Sequence, residues 1–174
     1  MNTQLYSLLN DEQDGLVSDA VNRFKTSSAE HYSRADFNGL RSKCSSLIQS
    51  LNMAVKEEHK DFPEYVRKIS KDRIREGYDL DEMQFALNTI EELVWRLCLE
   101  KVADEKEKLE DLCLLTRLIE SAKDGVARQY WEASQDEVAH AAPIWRKMQD
   151  AELISMRRME GKWAKSIADS QVKG

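Results

Sequence analysis

Glu137 and His140 stand three residues apart in "DEVAH", a spacing that puts a carboxylate and an imidazole on one side of a helix. Di-iron helical bundles use two such Glu-x-x-His pairs and two further glutamates from facing helices. The chain holds no second pair, so most of the ligand set is missing, and a helical-bundle metalloprotein of oxidase type is the remotest alternative. His31 and His59 fall in polar connectors. Cys44, Cys98 and Cys113 are odd in number and form no Cys-x-x-Cys pair. Each lies among leucines on a helical pattern, so all three are expected as reduced core thiols. No serine or cysteine stands beside a histidine in a pattern that would activate a nucleophile. The reading is therefore non-enzymatic, with no catalytic, cofactor-binding or metal residue assigned.

The elements that carry these residues are long helices. Six glycines and two prolines in 174 residues leave few places to turn, and no stretch alternates apolar and polar residues as a strand would. Lys and Arg number 26 against 32 Asp and Glu, a net charge of −6, which repels polyphosphate and argues against nucleic acid as a partner. The amino terminus "MNTQLYSLLNDEQDG" lacks the basic start and apolar run of a secretion signal. No run approaches the roughly 18 apolar residues of a membrane span. A cytoplasmic protein is expected, with a membrane contacted at most indirectly through a partner.

The first helical pattern, about Thr3 to Phe24, is broken once at Asp14 and Gly15. The polar connector "KTSSAEHYSRAD" follows, with Ser33 and Asp36 as a capping pair for a helix that carries Phe37, Leu40, Cys44, Leu47, Ile48, Leu51 and Val55 on one face. Pro63 opens the next helix, the helical position a proline fits best. Phe62, Val66, Ile69 and Arg73 share a face of it. A guanidinium on an apolar stripe needs a carboxylate or free carbonyls, and Glu82 is the first candidate.

The corner between this helix and the next is sharply specified. Gly77 stands where a helix stop needs a left-handed residue, and Asp79 with Glu82 supplies an N-cap and its reciprocal partner. Arg73, Gly77, Tyr78, Asp79 and Glu82 form this structural corner. The corner is not a DNA-binding helix-turn-helix, because Asp79, Asp81, Glu82, Glu91 and Glu92 precede the first basic residue, Arg96. The helix from Leu80 to about Lys101 buries Met83, Ala86, Leu87, Ile90, Leu93, Val94 and Leu97. Its polar face carries Trp95 and Leu99 among acidic residues, as a contact surface would.

From Asp104 the sequence is long, charged and helix-favouring, with Leu109, Leu112, Cys113, Thr116, Ile119, Val126 and Tyr130 as its stripe. Ser134 and Glu137 announce a further helix, which Pro143 bends. Three of the four tryptophans, Trp131, Trp145 and Trp163, follow Ala127; they suit either a binding surface or the edge of the domain's own core. Met156, Met159, Trp163 and Ile167 line one side of the tail, flanked by Arg157, Arg158, Lys162 and Lys165. Such a helix fits an apolar groove with acidic edges, on a partner or on its own bundle.

With these residues in place, "YVRKISKDRIREGYDLDEMQFALNTIEELV" resembles the N-terminal domain of RsbRD-type RsbT co-antagonists, which are bacterial stressosome and sensor proteins. The same domain precedes some sensor kinases. The likeness covers about the first 130 residues, including "HYSRADFNGLRSKCSSLIQSL", where Tyr32 precedes the second helix as it does in that family. The resemblance implies a helical input domain that senses or docks, without catalysis of its own. Relatives of that domain include globin-like folds, but haem needs an axial ligand deep in an apolar pocket, and no histidine here lies on a clear apolar stripe. The chain leaves no room after its helices for a phosphorylatable sulfate-transporter-type domain or a kinase, so a stand-alone input module is expected.

The resulting expectation is an all-α helical bundle, globin-like or four-helix-like, with a long C-terminal helical extension. Residues 1–103 form the input bundle, and 104–174 form long helices and an amphipathic tail that packs on the bundle or on a partner. The function is that of a non-enzymatic bacterial regulatory or sensor-type domain acting through protein contacts, with a homodimer as one arrangement. The alternative is a cytoplasmic accessory subunit docked on a larger, membrane-associated complex. Trp95, Leu99, Trp145, Met156, Arg157, Arg158, Met159, Lys162, Trp163 and Ile167 are the partner-binding candidates.

Overall fold

Spacings of three and four between apolar residues select helices, and the computed structural model contains no other regular element among the residues it describes, 3–57 and 61–136. In order these are α1 (Thr3–Asp11), α2 (Gln13–Lys25), α3 (Glu30–Arg34), α4 (Phe37–Glu57), α5 (Asp61–Arg75) and α6 (Leu80–Lys101). A long helix, α7, the last among the described residues, covers residues 105–136. The fold is all-α, as the sequence requires.

α6 buries a wide apolar stripe. Met83, Ala86, Leu87, Ile90, Leu93, Val94, Leu97 and Cys98 are all buried. α2 packs between α6 and α4 through Leu16, Val17, Ala20, Val21 and Phe24, while α1 and α5 pack on α4. Ion pairs from Arg23 to Glu92 (2.5 Å) and from Arg96 to Asp19 (2.7 Å) edge the α2–α6 contact.

The break in the first helical pattern falls at Glu12, slightly before the expected Asp14–Gly15. The connector after α2 also differs from expectation, because it contains the short helix α3. Five residues cannot hold a helix by propensity; this one is tied at both ends. The His31 amide donates to Glu82 Oε1 (2.9 Å), and Lys25 Nζ donates to the carbonyls of Ser33 (2.5 Å) and Ala35 (2.9 Å). Asp36, rather than Ser33, caps α4, accepting from the Gly39 amide at 2.7 Å.

The chain divides into two units after Trp131. Within the first unit, Leu115, Ile119, Ala122 and Val126 of α7 are fully buried. Burying a large aliphatic side chain contributes roughly 1.5–3 kcal/mol, so three of them rival the whole net stability of a domain, about 5–15 kcal/mol. The first part of α7 is thus integral to the core. Its register differs from the expected stripe, since Leu109 is 64% exposed while Asp111 and Gln129 are buried. Leucines at 109, 112, 114, 115 and 118 occur on several sides of the helix, and packing chooses among them. Gly125 faces α5, near Arg67 Cβ and the Pro63 carbonyl, and Lys123 reaches Glu91 of α6 at 2.7 Å. Ser134 lies inside α7 and does not begin a new helix.

Candidate functional site

The α5–α6 corner is built by two local motifs in succession. Gly77 has φ +89°, the left-handed conformation expected of it. The Tyr78 amide donates to the Arg73 carbonyl (3.0 Å) and the Gly77 amide to the Ile74 carbonyl (3.1 Å). This pair is the Schellman stop, and it satisfies two carbonyls that the helix end leaves free. Two residues later Asp79 accepts from the Glu82 amide (2.7 Å), while Glu82 Oε2 accepts from the Asp79 amide (3.3 Å). Both halves of the capping box are formed.

Arg73 does not meet Glu82. Its Nη1 donates to Glu76 Oε2 at 2.7 Å, and its guanidinium lies over the Tyr78 ring, 4.9 Å from the centroid. Glu82 is occupied by α3, with Oε2 2.7 Å from His31 Nδ1 and Oε1 on the His31 amide. Glu76 also lies 3.7 Å from Lys43 Nζ on α4. Partial desolvation opposes ionisation of Glu76, but the hydrogen bond from Arg73 and the charges of Arg73 and Lys43 hold its carboxyl below the usual range.

Three further aromatic side chains converge on Tyr78. His31 stacks on its ring at 4.6 Å, and Tyr32 meets it edge-on at 5.1 Å. From α7, the Tyr130 hydroxyl lies 2.6 Å from the Tyr78 carbonyl and 3.0 Å from that of Asp79. Burial, with Asp79 and Glu82 nearby, pushes the Tyr130 hydroxyl up to about 12. One turn of backbone is thereby held by α3, α5, α6 and α7 together. Of the participants outside the corner, Tyr32 stood out before the second helix and Tyr130 on the last stripe, whereas nothing local in the sequence singles out His31 or Lys43.

Beside the corner lies a partly open cavity of about 40 Å³. Phe24, Leu40, Leu47, Val66 and Leu87 give it apolar walls, and Tyr32, Lys43, Cys44 and Arg73 add polar groups. Cys44 is buried, and desolvation drives its thiol up to about 12 despite the opposing charge of Arg73. Cys98 is likewise buried, and desolvation with the nearby Asp111 carboxylate raises it to about 12. Neither thiol is available as a thiolate nucleophile at neutral pH. Cys113 departs from the expected core thiol and is exposed. Among the described residues no group of three or more His, Cys, Asp or Glu could hold a metal ion. Glu137 and His140 lie outside them.

Of the partner-binding candidates, Trp95 is 38% and Leu99 55% exposed, on the side of α6 turned from the core. Trp131, at 64%, is also exposed. Trp145, Met156, Arg157, Arg158, Met159, Lys162, Trp163 and Ile167 lie outside the described residues. Among the described residues no helix is long and apolar enough to cross a membrane.

Comparison with known proteins gives no match to a curated protein and none to a solved structure. One family model does match, that of the RsbT co-antagonist protein rsbRD N-terminal domain, over residues 14–147. The matched span holds α3, the cavity, the Schellman stop, the capping box and Tyr130. The chain belongs to the RsbT co-antagonist protein rsbRD N-terminal domain family.

Proposed function

We propose that this chain is a non-enzymatic bacterial regulatory domain of the input type, working in the cytoplasm through protein contacts. The observation that carries the reading is the double character of α6. One side of this helix is buried in the core, and the other leaves Trp95 and Leu99 in solvent. Exposed tryptophan and leucine beside charged residues make a surface suited to another protein, since tryptophan concentrates binding energy where a rim excludes water. Family membership supports a regulatory role. The amphipathic tail, with Trp145, Met156, Arg157, Arg158, Met159, Lys162, Trp163 and Ile167, offers a second docking element. A homodimer through the Trp95 face is one form the contact takes.

The test is co-purification from the native cell with wild-type protein and with Trp95→Glu combined with Leu99→Glu. Both positions are exposed, so the double variant is expected to fold with unchanged helicity and to lose the partner. Light scattering on the purified protein reads the homodimer in the same pair. Retention of every partner, and of the same mass, by a folded double variant would remove α6 as the docking face.

A further inference from the structure

The cavity beside the corner is fitted for a ligand. Most of its walls are apolar, but two cationic side chains are among its lining residues, Lys43 from α4 and Arg73 from α5, and both pair with the Glu76 carboxylate. Lys43 and Glu76 are about half exposed, so an entering anion can displace the Glu76 carboxylate into water. In the wall, Tyr32 is only 5% exposed. Its hydroxyl has one hydrogen-bond partner among the described residues, the Met83 sulfur at 3.6 Å. A thioether is a weak acceptor, which leaves this buried hydroxyl poorly satisfied. A void of about 40 Å³ exceeds the one-water minimum severalfold and admits about three non-hydrogen atoms.

We propose that this cavity binds a short-chain monocarboxylate, its alkyl chain among Phe24, Leu47, Val66 and Leu87 and its carboxylate on Arg73 and Lys43. The two parts are matched separately, since apolar walls favour the chain and the two cationic side chains favour the head. Polar contacts also connect the site to the last helix. Tyr32 meets the Tyr78 ring, and the Tyr78 carbonyl accepts from Tyr130 of α7. Occupation that shifts Tyr32 or Arg73 therefore acts on the corner that α7 grips. That effect rests on the regulatory reading, whereas binding does not.

The experiment uses the full chain, isotopically labelled, titrated with sodium butyrate at constant ionic strength, with butanol and butylammonium as controls. Saturable shifts are expected at Tyr32, Cys44 and Met83, with a Kd on the order of 1 mM for so small a ligand. Butanol should bind more weakly and butylammonium should leave these signals in place. Lys43→Gln, at an exposed position, should weaken butyrate by about two- to fivefold while sparing butanol, the effect of one partly screened charge. Ala86→Leu, which fills the void, should remove the shifts from a protein whose spectrum is otherwise folded. The assignment is overturned by butyrate shifts that are absent or lie elsewhere, by equal binding of butylammonium, or by undiminished affinity in Lys43→Gln. No partner protein enters the titration, so a silent cavity leaves the Trp95 docking face standing, and failed docking leaves the cavity assignment standing.

Discussion

Two glycines in this chain should respond to alanine with opposite signs. Gly77 has φ +89°, and an L residue held in a left-handed conformation costs roughly 1–2 kcal/mol. Alanine also restricts the unfolded chain, which returns about 0.4–1 kcal/mol. The added Cβ meets only His31 Nε2, at 3.5 Å, an ordinary contact, so no steric term enters. Gly77→Ala should therefore destabilise the domain by about 0.8 kcal/mol, the difference between the midpoints of the two ranges. Gly125 has ordinary helical backbone within α7, and its Cβ would meet Arg67 Cβ at 3.8 Å and the Pro63 carbonyl at 3.9 Å. Gly125→Ala should stabilise by roughly 0.5–1 kcal/mol, the helix-interior difference between the two residues. Urea unfolding followed by circular dichroism reads both as displacements of the midpoint at constant m value. Equal displacements in the same direction would refute the reasoning, because the two substitutions differ only in the backbone and space around them.

Glu82 is 7% exposed and serves the Asp79 amide, the His31 amide and the His31 ring. Glu82→Ala should cost about 2 kcal/mol in the same assay, more than loss of an ordinary cap, and a cost below about 0.5 kcal/mol would show that these contacts are not formed in solution. Of the three cysteines, only exposed Cys113 should react with an aromatic disulfide reagent in the folded protein, with Cys44 and Cys98 joining after denaturation; rapid reaction of two or three thiols in native buffer contradicts the packing. Stability should fall between pH 9 and pH 12. The Cys44 and Cys98 thiols rise from 9.0 to about 12 on folding and the Tyr130 hydroxyl from 10.0 to about 12. Their neutral forms thus favour the folded state fully below the unfolded values, and that preference is lost as pH passes the folded ones. Flat urea midpoints from pH 8 to pH 11 would count against burial of all three groups.

The corner shows what the sequence by itself determined. Gly77, Asp79 and Glu82 act on amides and carbonyls within a few residues of themselves, so their spacing alone specifies the stop of α5 and the start of α6. The wide stripe of α6 likewise chose its buried side, because seven apolar residues on one face leave no competing orientation. Tertiary structure decided the rest. α3 is too short to persist unaided and exists because Lys25 and Glu82 hold its ends. α7 carries leucines on several sides, and packing in the folded chain chose the register that buries Leu115, Ile119, Ala122 and Val126, with Gly125 beside α5 and Lys123 on Glu91 of α6. Arg73 was bound to need a carboxylate, yet Glu82 and Glu76 were both within plausible reach. His31 took the first and left Arg73 the second. A local pattern states that a buried charge requires a partner; only distances across the folded chain state which one it finds.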